Sequence, residues 1–419
     1  MKSVSLLSVV CLMMLAGCSP NSPLLRGAPT PSIPIDLPLQ TQGQLRDFDL
    51  MVKTMQANYI DQKAVEAWIL QTNDSRSQVS SGMDSTSYIA TLSTLLSTLH
   101  NTALEIIGSD SLSAPTATTT ISSTITGIGI IAGMPEEGHD RVLVMHVFAD
   151  SPAADAGLMP HDAIIKIDGA PVTASEGNQV ISRLRGPVGS KVALTIHTPS
   201  QVDREVQITR RNVVQQSTFV SKQVPATHIG YIAPDDASVS TMHVEVAQAI
   251  RDLSTAQGVD GLILDLRTIQ NPAFPLTDML ELFSNGFAGT LITRTGKTKI
   301  EITGKNVAGS QVLPLVILVS DQTRGIVESF AGMLQDQGRA HVVGYPTLGH
   351  LAVLTSVRLP NTGTVLVIPS GEYRGTKDHS WNGAGIKPDV ASNLKWEEFS
   401  TENDPQFQLA VDAFVTPKP

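Results

Sequence analysis

The sequence predicts a multidomain α/β protein with three successive folded regions. These are an N-terminal helical region, a strand-rich region with one amphipathic helix, and a C-terminal region in which strands and helices alternate. Three observations carry this prediction. A chain of 419 residues is too long for one ordinary domain. A composition of 41% hydrophobic and 16% charged residues suits a chain that folds around buried cores. Finally, the spacing of apolar residues changes along the chain from helical to strand-like.

The first residues have the features of a bacterial lipoprotein signal. Lys2 is followed by an apolar run over residues 4–15 and then by Leu15-Ala16-Gly17-Cys18. The run is too short to span a bilayer but suits the core of a secretory signal. Small residues before a cysteine resemble the lipobox, which implies that residues 1–17 are removed and that Cys18 is lipidated. The alternative is an ordinary signal peptide with an accidental cysteine.

Residues 18–44 are rich in proline and are predicted to form a tether that holds the folded body away from the membrane. Ser19 stands where an aspartate would favour retention in the inner membrane of the lipoproteins that this signal resembles. We therefore expect a lipid-anchored protein of the bacterial cell envelope that faces the periplasm, with the outer membrane favoured. Cys11 lies in the removed segment, so the mature chain would have no disulfide and would depend on its hydrophobic core.

Residues 45–108 are predicted to be helical. Two apolar stripes recur at helical spacing, the first formed by Leu45, Phe48, Val52, Met55 and Tyr59, and the second by Tyr88, Leu92, Leu95, Leu96 and Leu99. Asp84 and Ser85 are of the residue types that cap a helix N-terminus, and they precede the second stripe. A Thr/Ser-rich stretch over residues 109–124 then separates this region from the next.

Residues 118–211 contain motifs that resemble a bacterial PDZ domain in their order. They are Gly127-Ile128-Gly129-Ile130, Val142-Leu143-Val144, Ser151-Pro152-Ala153-Ala154 and Asp162-Ala163-Ile164-Ile165. The resemblance implies that an extended peptide adds a strand to the sheet edge and that amides of the loop Gly127 to Ile130 hold its terminal carboxylate. Val180, Ile181 and Leu184, on the amphipathic helix, would form the pocket for the last side chain. The alternative is a PDZ fold used only for packing.

Residues 212–416 are predicted to form an α/β domain with a largely covered sheet. Residues 261–266 and 315–319 are continuous apolar runs of strand length, whereas Val246 to Leu253 and Ile326 to Leu334 have helical patterns. The segment from Leu315 to His350, together with Asp265-Leu266-Arg267 and Gly385-Ile386-Lys387-Pro388, resembles the carboxyl-terminal processing peptidases, also called tail-specific proteases. The resemblance covers nearly the whole mature chain and implies a protease-like fold of the ClpP/crotonase type.

That family cleaves peptides with a Ser/Lys dyad, in which a buried lysine takes the proton of the attacking serine. Glu328 and Ala331-Gly332 fix the register of the resemblance, which implies that the nucleophile position is Gly325 and the general-base position is His350. Glycine has no side chain, so it offers no proton to remove and no oxygen to acylate. Loss of such a nucleophile costs several orders of magnitude in rate.

Further parts of the catalytic machinery also depart from the family pattern. The glutamine that orients the lysine is replaced by Leu354, and the glycine-rich turn that helps form the oxyanion hole is replaced by residues 268–274. The turn after the N-terminal helix has become His100-Asn101-Thr102. The scaffold motifs persist while the catalytic ones have changed, which indicates relaxed selection on catalysis.

A relocated nucleophile is the alternative. Ser329 lies one helical turn beyond position 325, Ser320 lies at a strand end, and His350 with Asp265 could supply a base and its orienting group. Such a pair needs both hydrogen-bond reach and an oxyanion hole, and the sequence provides no sign of the second.

The sequence gives no reason to expect nucleic acid, a metal or a cofactor as a ligand. Its formal charge of −10 repels phosphate backbones, and its ten histidines have no metal-binding spacing. We therefore interpret the chain as a lipid-anchored pseudoprotease that binds peptides or protein C-termini through its PDZ domain. It would act as an adaptor or scaffold, and an active protease or paralogue is a further candidate partner. The alternatives are a divergent active serine endopeptidase and a purely structural assembly protein.

Overall fold

The computed structural model of the protein describes residues 32–99, 104–107, 124–133, 135, 140–174 and 178–414. These residues form the three regions in the predicted order, so the prediction of a multidomain α/β chain with N-terminal helices is confirmed. Within these ranges no helix combines the length and the apolar character that crossing a membrane requires. Cys18 and residues 1–31 of the predicted signal and tether lie outside the described residues.

Four helices form the N-terminal region, with the bounds α1 (Leu39–Asn58), α2 (Gln62–Ile69), α3 (Thr72–Ser80) and α4 (Ser85–Ser97). All residues of the two predicted stripes except the last of each, Tyr59 and Leu99, lie in helices, and most of them are buried together in one core. The Asp84 side chain accepts a hydrogen bond from Ser87 N, as the capping prediction requires. The predicted tether boundary at residue 44 is wrong, because α1 begins at Leu39. Pro38 precedes it, and its fixed φ of −56° suits the start of a helix.

The N-terminal region also contains a strand, which the prediction of a helical region over residues 45–108 did not include. Strand β1 (Glu105–Ile107) pairs antiparallel with β18 (Val365–Arg374) of the C-terminal domain. The helices also pack against Leu359, Leu366 and Ile368 of that domain. The N-terminal helices and the C-terminal domain therefore share a hydrophobic core.

The middle domain is built from short strands around α6. Its elements are β2 (Thr124–Gly127), β3 (Ile130–Gly133), β4 (Val142–Val147), α5 (Pro152–Asp155), β5 (Ala163–Ile167), β6 (Ala170–Pro171), α6 (Asn178–Leu184), β7 (Lys191–His197), β8 (Arg204–Thr209) and β9 (Arg211–Val214). The main sheet has the order β3-β4-β5-β7-β8, with β6 on β5, while β2 pairs only with β9. Strand β3 is thus at an edge of the sheet, beside the loop that was predicted to bind a carboxylate.

The C-terminal domain has two sheets. Its elements are β10 (Val220–Gln223), β11 (Ile229–Ala233), α7 (Met242–Gln257), β12 (Gly261–Asp265), α8 (Leu276–Phe283), β13 (Gly286–Thr293), β14 (Gly296–Ile302), β15 (Leu315–Val319), α9 (Ile326–Asp336), β16 (His341–Gly344), β17 (Ala352–Arg358), β18, β19 (Val390–Ala391) and α10 (Pro405–Asp412). One sheet has the order β10-β11-β12-β15-β16-β19 and is parallel from β11 onward. The other joins β1, β18, β13 and β14, with β17 on β18.

The predicted strands and helices of the C-terminal domain are confirmed. Every residue of β12 and β15 is buried, because helices cover both faces of the parallel sheet. Helices α7 and α9 contain the two predicted helical segments. Since β15 ends at Val319 and α9 begins at Ile326, position 325 lies at the junction between a central strand and a helix.

The middle domain is held against the C-terminal domain by the segment after β19, at residues 396–399. The Trp396 ring stacks on the His161 ring with centroids 4.0 Å apart, and the indole Nε1 donates to Val144 O at 3.2 Å. The Arg141 guanidinium pairs with the Glu397 carboxylate across the same contact. Trp396 and Phe399 also share an apolar cluster with middle-domain residues.

Candidate functional site

Gly325 adopts a backbone conformation that L-amino acids rarely adopt. It precedes the first residue of α9 with φ at +67° and ψ at −129°. A strand–turn–helix junction with a strained residue is the type of turn that exposes a nucleophile in hydrolases. A Cβ built on Gly325 would lie 3.6 Å from His350 O, which is ordinary contact. The two predicted dyad positions are therefore neighbours in the fold, and position 325 has room for a side chain that glycine does not supply.

A buried carboxylate holds these two segments together. Glu328 Oε2 accepts from Gly325 N at 2.9 Å, and Glu328 Oε1 accepts from Thr347 Oγ1 at 2.5 Å and from Gly349 N at 2.8 Å. Burial raises the pKa of Glu328, although the three hydrogen bonds oppose that rise. In the sequence analysis Glu328 served only to align the chain with the family motif. The structure shows that its carboxylate joins the segment at Gly325 to the segment at Thr347 and Gly349.

His350 lies in a partly buried environment beside a positive charge. Burial, followed by the charge of Arg324, lowers the pKa of His350 below its ordinary value, so the imidazole is neutral at pH 7. A neutral imidazole can accept a proton, but residue 325 has no hydroxyl to donate one. Leu354, at the position predicted for the orienting glutamine, lies on β17 and has no polar group. The predicted roles of positions 325 and 350 remain predictions that rest on the resemblance.

The two alternative nucleophiles are both fully buried. Ser320 Oγ donates to Arg267 O at 2.7 Å and accepts from Gln322 N at 3.0 Å, so the loop already uses its hydroxyl. Ser329 Oγ has no hydrogen-bond partner among the described residues. Asp265, the predicted orienting group, binds the Arg267 guanidinium and the Tyr231 hydroxyl instead. These contacts give no support to a relocated Ser/His pair.

Most amides of the turn at residues 268–274 are bonded within the protein. Gln270 N and Asn271 N both donate to Asp236 Oδ1 at 3.0 Å. Ile269 N donates to Leu266 O, and Ala273 N donates to Asn271 Oδ1. Phe274 N donates to Asn271 O as well. Asp236 was not among the residues predicted from the sequence.

The predicted carboxylate-binding loop lies between β2 and β3. Gly129 has φ at +86°, and a Cβ there would overlap the Ser151 side chain, so only glycine fits. Ile128 O accepts from Ala153 N and Gly129 O accepts from Phe148 N, which anchors the loop through its carbonyls. No acceptor for the amides of Ile128 and Gly129 is recorded in the described part of the chain. Their N–H groups are the donors that a terminal carboxylate needs.

The residues that were predicted to form the side-chain pocket lie beside the loop and on α6. Ile128, Val180 and Leu184 belong to the apolar core of the middle domain, whereas Ile130 and Ile181 are partly exposed beside it. Among the described strands β3 pairs only with β4, so its other edge has no partner in that part of the chain. Its far end, at Gly133, lies against the Gln322 side chain of the C-terminal domain. Ile128, Val180 and Leu184 therefore pack in one cluster, and their role in a peptide pocket stays a prediction.

A cavity of about 370 Å³ lies between the middle and C-terminal domains. Its walls include Tyr231, Asp236, Arg267, His161 and Trp396. The charged side chains in the cavity wall are paired with one another, because Arg267 forms salt bridges with both Asp265 and Asp404. No group of three or more potential metal-ligating side chains occurs among the described residues.

Comparisons with known proteins match both folded domains. The sequence profile of peptidase family S41 matches residues 228–392, and that of the PDZ domain matches residues 143–198. The chain is 30% identical over 302 residues to the carboxyl-terminal-processing protease of Synechocystis, covering 70% of this chain and 69% of that protein. It is 29% identical over 286 residues to the carboxy-terminal processing protease CtpA of Bacillus subtilis, covering 66% of this chain and 58% of that protein.

Solved structures share the fold. The chain is similar to the photosystem II D1 C-terminal processing protease with a TM-score of 0.63 and 22% identity, covering 86% of this chain and 94% of the other. It is also similar to an S41 protease described as putative from Bacteroides fragilis, with a TM-score of 0.55 and 16% identity, covering 88% and 98% of the two chains. At these identities the likeness shows the fold, and it confirms the predicted protease-like domain.

Proposed function

This chain belongs to the carboxyl-terminal processing proteases of peptidase family S41, and on that premise we propose that it is a pseudoprotease that binds peptides or protein C-termini without cleaving them. One observation carries the proposal. The residue at the strand–helix junction where the family's nucleophile is expected is Gly325, which has a positive φ and no hydroxyl. Without a nucleophile no acyl-enzyme forms, whatever base is present.

The PDZ domain supplies the binding half of the proposal. Three features support β-strand addition of a peptide: β3 has an edge with no partner among the described strands, the amides of Ile128 and Gly129 have no acceptor in the described part of the chain, and apolar residues of α6 lie beside the loop. The backbone of the peptide would pair with β3, and its terminal carboxylate would accept from the loop amides. The ligand is therefore an extended peptide with an apolar last side chain and a free C-terminus.

The cellular role that we propose is that of an adaptor or scaffold in the bacterial envelope. The lipobox-like sequence before Cys18 and the proline-rich segment after it support a periplasm-facing lipoprotein, with the outer membrane favoured. An active protease or a paralogue would receive the peptide or protein that the PDZ domain binds. Membrane fractionation of the full chain and its Cys18→Ala variant tests the anchor. Equal membrane retention of the two proteins would contradict a lipid anchor at Cys18.

Peptide binding is tested by fluorescence anisotropy with a labelled peptide that ends in an apolar residue, with either a free or an amidated C-terminus. We expect the chain to bind the free carboxylate form at least about tenfold more tightly than the amide, because hydrogen bonds to a charged group contribute about 1.5–3 kcal/mol. Gly129→Ala should abolish binding, because the added Cβ overlaps Ser151. Gly189→Ala is the matched control, since Gly189 also has a positive φ of +83° but open space around it.

Cleavage of an unstructured protein with an apolar C-terminus is measured in parallel. Binding without turnover supports the pseudoprotease. Turnover that disappears on Ser329→Ala or Ser320→Ala would identify a divergent active endopeptidase with a relocated nucleophile. If the unaltered chain and its variants all gave the same small anisotropy change with both peptides, the purely structural role would be favoured.

A further inference from the structure

The two faces of strand β3 point to different parts of the molecule. Ile130 and Ala132 pack against the apolar core of the middle domain, to which α6 contributes. Ile131, between them in sequence, packs instead on the cluster that contains Trp396 and Phe399 of the C-terminal domain. Successive side chains of a strand alternate between faces, so one face of β3 points to α6 and the other points to the C-terminal domain.

A peptide strand added to the free edge of β3 would share this alternation. With its terminal carboxylate at the amides of Ile128 and Gly129, its last residue lies opposite Ile130 and its chain runs antiparallel to β3. Residues directly opposite each other in paired strands have their side chains on the same face. The last side chain therefore points to α6, whereas the penultimate side chain lies opposite Ile131 and points to the C-terminal domain.

The interdomain cavity of about 370 Å³ lies on this second face of β3. Ile131 lines the cavity from one domain and Asp236 lines it from the other. Contacts at the end of β3 lead to the same carboxylate. A Cβ on Gly133 would overlap Gln322 Oε1, and Gln270 Nε2 lies 3.5 Å from that oxygen. Gln270 N in turn donates to Asp236 Oδ1 at 3.0 Å. The cavity volume is within the range of pockets that bind small ligands.

Among the charged side chains of the cavity wall, one carboxylate has no cation beside it. Arg267 forms salt bridges with Asp265 and Asp404. The Lys222 ammonium lies over an aromatic ring of the wall. Asp236 forms no salt bridge within the described part of the chain, and its Oδ2 atom accepts no hydrogen bond there, whereas its Oδ1 atom accepts from two amides.

The surroundings of this carboxylate favour a bound cation. Burial raises the pKa of Asp236, the amide bonds of the turn oppose that rise, and the negative charge of Asp235 adds to it. A basic side chain beside Asp236 would stabilise its ionised form. The aromatic rings of Tyr231, Trp396 and Phe407 line the same cavity. Apolar stems of lysine and arginine pack on such surfaces while the charged group reaches a polar partner.

We propose that the interdomain cavity binds the penultimate side chain of a peptide held by the PDZ groove, and that Asp236 selects a lysine or an arginine there. This inference rests on the proposed function, which it deepens by adding a second requirement to the apolar last residue. The preferred ligand is a C-terminus that ends in a basic residue followed by an apolar one. Both domains contribute to its recognition.

Fluorescence anisotropy with two labelled peptides of the same composition tests the proposal. Both end in an apolar residue with a free carboxylate. One has arginine at the penultimate position, and the other has it one residue earlier, where the side chain points to α6. Because the peptides have equal charge, general attraction to an acidic protein cancels in the ratio of their Kd values. We expect the penultimate arginine to bind about tenfold more tightly, the effect typical of one hydrogen bond between charged groups. Equal affinities would overturn the inference.

The variant Asp236→Asn identifies the group that selects the arginine. Asparagine keeps an oxygen for the amides of the turn but has no charge, so the tenfold ratio should fall to about one. Asp252→Asn, which removes an exposed carboxylate from α7, is the control and should keep the ratio. Because the ratio is measured within each protein, a general loss of affinity in a variant does not affect it. A tenfold ratio that persists in the Asp236 variant would contradict the proposal.

Failure of this inference differs from failure of the proposed function. If both peptides bind equally and their amidated forms bind weakly, the PDZ groove recognises C-termini and only the role of the cavity is wrong. If the unaltered chain binds neither peptide, the proposed binding function is wrong and the inference fails with it. Cleavage of either peptide by the unaltered chain would contradict the pseudoprotease without changing the expected ratio.

Discussion

Glycine at position 325, where the resemblance places the nucleophile, has no side chain and adopts the positive φ there without strain. A non-glycine residue at φ +67° and ψ −129° costs about 1–3 kcal/mol, which active enzymes sustain because the strain exposes the reacting group. Under the proposed loss of catalysis, glycine would avoid that strain without a change in the helix that follows. Glu328 accepts from Gly325 N and Gly349 N, so it holds these two segments together.

A prediction at the residue scale concerns Asp321, which is fully buried on the loop before Gly325. Burial and then the charge of Glu397 raise its pKa from 3.8 to about 6, while nearby cations oppose the rise. Between about pH 4 and pH 6 the folded state therefore binds more protons than the unfolded state, so the free energy of unfolding falls as pH rises. At 1.36 kcal/mol for each unit, the contribution lost is about 3 kcal/mol.

Urea denaturation of the unaltered chain and of its Asp321→Asn variant between pH 4 and pH 7 checks this prediction. The variant cannot ionise at this position, so its stability should fall less over that interval. Because the slopes are compared, any constant loss caused by the substitution does not matter. Parallel curves for the two proteins would show that Asp321 does not titrate in this range.

At the scale of elements, one buried carboxylate adds hydrogen bonds to the shared core between the N-terminal helices and the C-terminal domain. Asp47 on α1 is fully buried and accepts from the backbone amides of Asn361 and Thr362, and also from both side chains. Asn361 and Thr362 lie in the turn between β17 and β18. The helix therefore determines the conformation of a hairpin more than three hundred residues away in sequence.

We expect Asp47→Ala to lower the free energy of unfolding by about 3 kcal/mol, because it leaves buried donors without an acceptor. Asp49→Ala is a control on the same helix. It removes a partly exposed ion pair with Arg76, whose typical contribution is about 1 kcal/mol or less. Chemical denaturation of the three proteins measures the difference. An equal decrease in the free energy of unfolding for the two variants would mean that the Asp47 contact stabilises the fold no more than the Asp49–Arg76 ion pair does.

At the scale of the whole molecule, the segment at residues 396–399 holds the PDZ domain against the C-terminal domain. Trp396 stacks on His161, donates to Val144 O and fills an apolar cluster with Leu143 and Met145. Arg141 and Glu397 add an ion pair beside it. Aromatic burial and a desolvated pair together favour one fixed arrangement of the two domains.

Trp396→Ala should release the PDZ domain from this arrangement. Removal of a buried tryptophan typically costs about 3–5 kcal/mol, and we expect the loss to appear as faster amide exchange in β4 and β5. Leu394→Ala, at a side chain that is 40% exposed, should leave exchange unchanged. Hydrogen-exchange mass spectrometry measures both variants. Unchanged protection of β4 and β5 in the Trp396 variant would show that other contacts hold the domains together.

Local patterns predicted much of this architecture. The strands β12 and β15 were evident because both faces of a parallel sheet are covered, which makes their sequences continuously apolar. The start of α1 at Leu39 was not evident, because proline-rich sequence before a helix and a proline at its N-terminus look alike until the packing is known. Strand β1 was missed because three residues acquire their strand conformation only by pairing with β18.

The sequence by itself determined the family, the order of the domains and the identity of residue 325, because these depend on motif order and on the absence of a side chain. Only the tertiary structure decided that Asp236 lies against the amides of Gln270 and Asn271 and that Trp396 packs on His161. Each of these contacts joins residues far apart in the chain, and no local pattern of charge or hydrophobicity specifies such a partner. Their geometry follows from packing of the assembled domains.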